Sequence, residues 1–228
     1  MHPTPTGVLS LALCLCAFWA AAAPPRSLAQ TQAGPPPPPR PTPAQKAPAP
    51  LPRKAVAGAR AGQGWQRYEI GAPPVLSVDL PAKHEVETEM VAMGGSLSAP
   101  AYVYTGETAD GTYIAYFIEN LPLDSARMPE AIKKQFYDGV WEGMAKGIKS
   151  GMEKNGLLIE LVTGQSKMVK VGGLDAREQD FTLGPLKGRA RVVLSGNRAF
   201  LVLLLELGDT ISGTGLAFLD SLEVRAPR

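Results

Sequence analysis

Apolar and polar positions alternate with two different periods along this chain, and the change of period marks its elements. From Pro129 to Lys154 the apolar residues recur at helical spacing. At 100° per residue Ile132, Phe136, Tyr137, Val140, Trp141, Met144 and Ile148 share one broad face, and Asp138, Glu142, Lys146, Lys149 and Glu153 take the other. Pro129 suits a first helical turn, Ser125 or Asp124 stands where a cap is needed, and Asn155-Gly156 offers a left-handed stop. The spacing predicts one long amphipathic helix. Its charges recur every turn, so it does not read as a membrane span.

Elsewhere the period is two. Tyr68 and Ile70 alternate with polar neighbours, as do Leu76, Val78 and Leu80 before Pro81. Residues 82–100 read as a loop. Tyr102 to Glu107 and Thr112 to Ile118 flank Asp110-Gly111, a hairpin signal. The second of these is apolar on both faces and belongs mid-sheet. Strands are expected at Leu157 to Val162, Lys167 to Val171, Ala176 to Leu183, Lys187 to Leu194 and Ala199 to Leu207, with Gly172-Gly173, Gly184-Pro185 and Gly196-Asn197 as turns. The unbroken apolar run Phe200 to Leu205 suits a fully buried strand. A short helix follows, capped by Thr210 or Ser212, with Ile211, Gly215, Phe218 and Leu222 on one face. The order predicts an α+β fold: a largely antiparallel sheet covered by a long central helix and a short C-terminal helix.

Glycine recurs at every fourth position of the long helix: Gly139, Gly143, Gly147 and Gly151. Each costs about 1 kcal/mol against alanine in a helix interior. Two uses offset that cost. The glycines let the helix approach the sheet closely, or they leave a groove beside Met144 and Ile148 for an apolar ligand. Tyr137, Trp141, Met144 and Ile148 are the candidate partner or ligand surface.

The chain divides into three stretches. Residues 1–29 read as a signal peptide, with an apolar run from Val8 to Ala23 and a small-x-small site at Ser27-Leu28-Ala29. Cleavage would leave Gln30 first; an uncleaved anchor is the alternative. Residues 30–63 are a disordered, proline-rich linker that includes Pro35 to Pro39. Residues 64–228 form a single domain. Charge follows the same division. The whole chain has 23 basic and 21 acidic residues, yet the first acid is Glu69. Arg26, Arg40, Lys46, Arg53, Lys54 and Arg60 therefore make the tether purely basic, while the domain is net acidic. The expected location is outside the cytoplasm, periplasmic or secreted.

Cys14 and Cys16 lie within the signal, so the cleaved chain has no disulfide, thiolate metal site or cysteine nucleophile. His84 is the remaining histidine and has no partner at ligand spacing. Glu85, Glu87 and Glu89 alternate, as do Glu178 and Asp180; the second pair is the candidate for a carboxylate-based hydrolase, and the first for weak calcium binding. Ser212 to Gly215 opens the short helix, where anions can sit. No Walker lysine, dinucleotide fingerprint or base-stacking ladder is present. These counts predict no catalytic residue, no metal, no cofactor and no nucleic-acid partner.

Several dispersed signals resemble one family. They are W-x-R-Y-x-I from Trp65 to Ile70, D-L-P from Asp79 to Pro81, G-L-D-A-R-E from Gly173 to Glu178, R-A-R from Arg189 to Arg191 and F-L-D-S-L from Phe218 to Leu222. With the element order they resemble the PsbP-like, Mog-one-like α/β/α sandwich over Trp65 to Val224, in its secreted bacterial branch of unassigned function. The resemblance implies an accessory or assembly role without catalysis. The expected function is a non-catalytic envelope domain that binds a protein or a cell-surface component. The alternatives are a carrier of an apolar small molecule between the glycine-rich helix and the sheet, and the carboxylate hydrolase.

Overall fold

The computed structural model describes residues 49–71, 75–94, 97–154, 156 and 159–225. The signal sequence and the linker up to residue 48 lie outside these. Eleven strands and two helices are described: β1 (Arg53–Val56), β2 (Trp65–Ile70), β3 (Leu76–Pro81), β4 (His84–Gly94), β5 (Leu97–Glu107), β6 (Gly111–Ile118), α1 (Glu130–Lys154), β7 (Leu161–Val171), β8 (Leu174–Leu183), β9 (Leu186–Ser195), β10 (Arg198–Leu207), α2 (Gly213–Asp220) and β11 (Glu223–Val224). All pairings are antiparallel. They make a seven-stranded sheet, β4-β5-β6-β10-β9-β8-β7, and a four-stranded sheet, β1-β2-β3-β11. The fold is α+β.

The large sheet is apolar on both faces at its centre because its middle strands carry apolar residues at successive positions. On β10, Leu201, Leu203 and Leu205 face one way and Phe200, Val202 and Leu204 the other. β6 divides in the same manner, with Ile114, Tyr116 and Ile118 opposed to Tyr113, Ala115 and Phe117. The first face packs under α1 through Phe136, Tyr137, Met144, Ile148 and Met152. The second packs against the small sheet and α2 through Ile70, Val78, Leu80, Phe218 and Leu222. The expected mid-sheet places of β6 and β10 are thus observed.

Helix α1 starts after Pro129, whose carbonyl accepts from Ile132 and Lys133. Asp124 and Ser125 do not cap it. They form their own turn, with Ala126 N–H on Asp124 Oδ1 and Ser125 N–H on Gly196 O. The stop is the expected one: Gly156 has φ +72° and its N–H reaches Glu153 O. Ile132, placed on the apolar face by periodicity, is 40% exposed.

Three further expectations are corrected. The loop expected over residues 82–100 is largely strand: His84–Gly94 is the edge strand β4, and β5 starts at Leu97. β7 begins at Leu161 and runs unbroken to Val171, with a register shift between Thr163 and Ser166; the earlier part of the expected Leu157 strand includes residues outside those described. The domain also begins before Gly64. Arg53–Val56 pairs with β2, and Asp79, which has no exposed surface, accepts from the N–H groups of Arg60 and Ala61. A buried carboxylate requires donors, and the end of the basic stretch supplies them.

Candidate functional site

The helix surface singled out by sequence is not a surface. Tyr137, Met144 and Ile148 are buried, and Trp141 is half-buried with its ring 5.4 Å from that of Phe181. Tyr137 donates its hydroxyl to Asp175 O at 3.2 Å. All four pack on the sheet, because the apolar face of an amphipathic helix is what the sheet needs to cover it. Gly143, Gly147 and Gly151 are buried and Gly139 is half-buried. The space beside Trp141 and Met144, closed by Arg177, Gln179, Ala190 and Val192, is about 10 Å3. That is room for about one water and not for an apolar molecule.

The candidate hydrolase carboxylates do share a face of β8, but they are taken. Glu178 is 2% exposed. Its Oε2 accepts from Arg191 Nη2 at 2.6 Å and Nε at 2.9 Å, and its Oε1 lies 3.0 Å from Lys167 Nζ and 3.5 Å from Arg189 Nη1. Asp180 holds Arg189 at 2.5 Å. Burial pushes the Glu178 carboxyl up, but the Arg191 and Lys167 hydrogen bonds and the charges of Arg191 and Arg189 outweigh it, and its pKa falls below the ordinary 4.5. A general acid needs the opposite shift. Arg191 also reaches Asp220 Oδ1 and Leu219 O. The R-A-R and F-L-D-S-L signals therefore meet in an ion network that docks α2 on the large sheet.

The other singled-out residues are likewise structural. Asp79 of D-L-P takes Arg67 Nη1 at 3.0 Å, and its own N–H donates to Ser221 Oγ at 2.9 Å. Glu85, Glu87 and Glu89 alternate along β4 as expected, and Glu89 accepts from the Tyr116 hydroxyl. Among the described residues no three His, Cys, Asp or Glu side chains group as a metal site. His84 has Pro81 O at 2.9 Å from Nδ1 and Arg53 Nη1 at 2.5 Å from Nε2. The N-terminus of α2 does hold an anion, and it is the chain's own: Glu206 accepts from Ser212 N–H at 2.6 Å and from Ser212 Oγ at 2.8 Å.

Among the described residues a wider cleft opens at the β5–β6 hairpin end of the large sheet. Its volume is about 230 Å3. Leu186, Leu205 and Leu207 supply an apolar floor, and Glu107, Thr108 and Asp110 a polar lip. The Asp110-Gly111 turn sets this geometry: Leu207 N–H donates to Asp110 O, and Thr108 N–H to Gly111 O. Leu207 ends β10 with 68% of its surface exposed, the largest value among the exposed large apolar residues described. The cleft is smaller than the roughly 300 Å3 at which small-molecule sites begin, so it suits one side chain and its neighbours. Sequence reading missed it because its parts are separate strand ends. The available signal was Leu207, which extends the apolar alternation of β10 past the buried run.

No family model matches the chain, and no curated protein matches it. Among solved structures it is similar to the solution structure of cyanobacterial PsbP (CyanoP) from Synechocystis, at 11% identity over 75% of this chain and 98% of that one, with a TM-score of 0.46. It is also similar to a crystal structure from Bacteroides thetaiotaomicron, at 13% identity over 66% of this chain and 45% of that one, with a TM-score of 0.31. The first carries the PsbP name of the family that the sequence signals resemble. Among the described residues no helix is long and apolar enough to cross a membrane.

Proposed function

We propose that this chain is an exported, non-catalytic binding domain that takes a segment of another protein into the cleft at the β5–β6 hairpin. The carrying observation is the cleft's make-up: three leucines under a lip with Glu107 and Asp110 and no basic residue among its lining. Such a site fits a large apolar side chain adjacent to a lysine or arginine. The apolar group loses water against Leu186 and Leu207, while the cation gains the two carboxylates. Supporting the non-catalytic reading, Glu178, Asp180 and His84 are each committed to partners within the fold. Export is supported by the apolar run and small-x-small site of residues 1–29.

The test is a photo-crosslinking amino acid at Leu207, with Leu216 on α2 as an exposed control, in cells that produce the full chain. The expected result is a polypeptide adduct at position 207 alone. Its crosslinked segment carries a basic residue beside an apolar one, and Glu107→Gln with Asp110→Asn reduces the adduct without changing the thermal midpoint. An adduct equal at both positions, or one indifferent to the charge removal, overturns the assignment.

A further inference from the structure

His84 and Arg53 join two stretches 31 residues apart. The atoms on either side of the imidazole make opposite demands. The Pro81 carbonyl accepts only, so Nδ1 must carry hydrogen. The Arg53 guanidinium donates only, so Nε2 must present its lone pair. One species meets both: the neutral ring with hydrogen on Nδ1. A second proton places an N–H on Nε2 facing the guanidinium, and the hydrogen bond becomes a contact between two cations.

Among the described residues the contacts of the ring include no acceptor for that proton. The ring faces Arg53 from β1, the Pro81 carbonyl from β3, Tyr68 from β2 at 4.9 Å between centroids and Tyr104 from β5 at 6.4 Å. Lys83 is next to it in the chain. Glu85, Glu87 and Glu89 follow on β4 but point to the opposite face of the strand. Burial first, with the Arg53 charge adding to it against the Pro81 hydrogen bond, holds the imidazole below its ordinary pKa of 6.5.

β1 carries this contact. It is a four-residue edge strand whose side chains are exposed except for half-buried Val56. Besides its ladder to β2, the segment is held by Arg53, which also lies 5.9 Å above the Tyr68 ring, by half-buried Leu51 against the core, and by the Pro52 carbonyl, which accepts from Gly71 N–H at 2.8 Å. The chain is held independently further on, where Arg60 and Ala61 bind Asp79 and Arg60 pairs with Glu223 at 2.7 Å.

We propose that Arg53 and His84 form an acid-released latch that sets how much of the basic tether is folded onto the domain. Above pH 6.5 the neutral ring holds β1. As pH falls below that value the ring takes up a proton more readily with β1 detached, and the strand leaves. Leu51 and the Pro52 carbonyl let go with the strand, residues 51–59 are freed, and the reach of the chain before Arg60 grows by up to about 30 Å, while Asp79 keeps the domain closed at Arg60. This inference does not use the cleft and stands or falls apart from it.

The experiment is amide exchange on the full chain at pH 7.5 and pH 5.0, corrected for intrinsic rates, with β10 as internal reference. The expected result is a several-fold loss of protection at Lys54–Val56 at pH 5.0 with β10 unchanged. His84→Gln should remove the difference between the two pH values. Arg53→Ala, at an exposed position, should leave β1 loosened at both. Equal protection of β1 at the two pH values in the unaltered chain, or a pH response that persists in His84→Gln, overturns the latch.

Discussion

Gly215 lies directly against the carboxylate of Glu206: a methyl group on its Cα would stand 2.5 Å from Oε1. Glu206 is buried, and it accepts from the Tyr113 hydroxyl at 2.6 Å as well as from Ser212. Ser212 Oγ in turn caps α2 by accepting from Gly215 N–H at 3.0 Å. One carboxylate thus ties β6, β10 and the start of α2 together, and it fits because residue 215 has no side chain. Gly213, two residues earlier, has nothing within 4 Å of such a methyl. Gly215→Ala should therefore lower stability by about 1–3 kcal/mol through overpacking. Gly213→Ala should be neutral, or raise stability by up to about 1 kcal/mol through better helix propensity. Urea unfolding of the two variants checks the contrast, and equal behaviour would count against the contact.

The fold should also depend on residues before Gly64. A chain that starts at Gly64 loses the Arg60 and Ala61 N–H groups that Asp79 accepts, as well as β1 and the Arg60–Glu223 pair. Asp79 keeps Arg67, but a buried carboxylate short of donors is costly, at roughly 1.5–3 kcal/mol per hydrogen bond to a charged group. Truncation to Gly64 should reduce stability by at least about 2 kcal/mol relative to a chain that starts at Ala49. Coincident urea midpoints for the two chains would show that Asp79 is satisfied without the tether.

Glu178 gives the domain an acid-sensitive joint. Its folded pKa lies below its ordinary 4.5. A depressed carboxyl contributes stability that is fully present above the ordinary value and is lost as pH falls through the folded one. The contribution should therefore be intact at neutral pH and disappear below about pH 4.5. Stability measured from pH 6 to pH 3 should fall less steeply in Glu178→Gln than in the unaltered chain, although the variant starts lower because Arg191 and Lys167 lose their partner. Parallel curves would assign the acid response to other groups.

The legible and illegible parts of this molecule differ in a physical way. Period 3.6 from Phe136 to Ile148, period 2 on β8 and β9, and the glycine pairs at the turns are local properties, so helix, strands and most boundaries followed from them. β4 carries the same alternation, Glu85, Glu87 and Glu89 against Val86 and Thr88, but it is an edge strand with a charged face, and charge without a full apolar partner row resembles a loop. β1 has no local signal at all. Four residues, two of them basic, become a strand because β2 offers an edge and Tyr68 and His84 receive Arg53. The cleft needed β5, β6, β9 and β10 brought to one end of the sheet. The motif residues Asp79, Glu178, Arg191 and Ser221 were visible as a pattern, but whether they bind something or bind each other is decided by contacts across 142 residues in the case of Asp79 and Ser221.

The face of α1 distinguishes core from surface by a simple measurement. Ile148 is 1% exposed and belongs to the cluster that includes Met144, Phe181 and Leu203. Ile148→Ala removes buried methylenes and leaves a cavity that the sheet cannot close, so it should cost about 2–5 kcal/mol. Ile132, one end of the same apolar stripe, is 40% exposed. Ile132→Ala should stay within about 0.5 kcal/mol of the unaltered chain. Trp141→Ala lies between, because its ring is partly exposed at the helix edge and packs against Phe181. The order Ile148 above Trp141 above Ile132 in a urea series is what a helix packed on its sheet requires. A small cost at Ile148 would mean that the helix can lift from the sheet. The space beside Trp141 and Met144 would then be able to open wider than its resting 10 Å3.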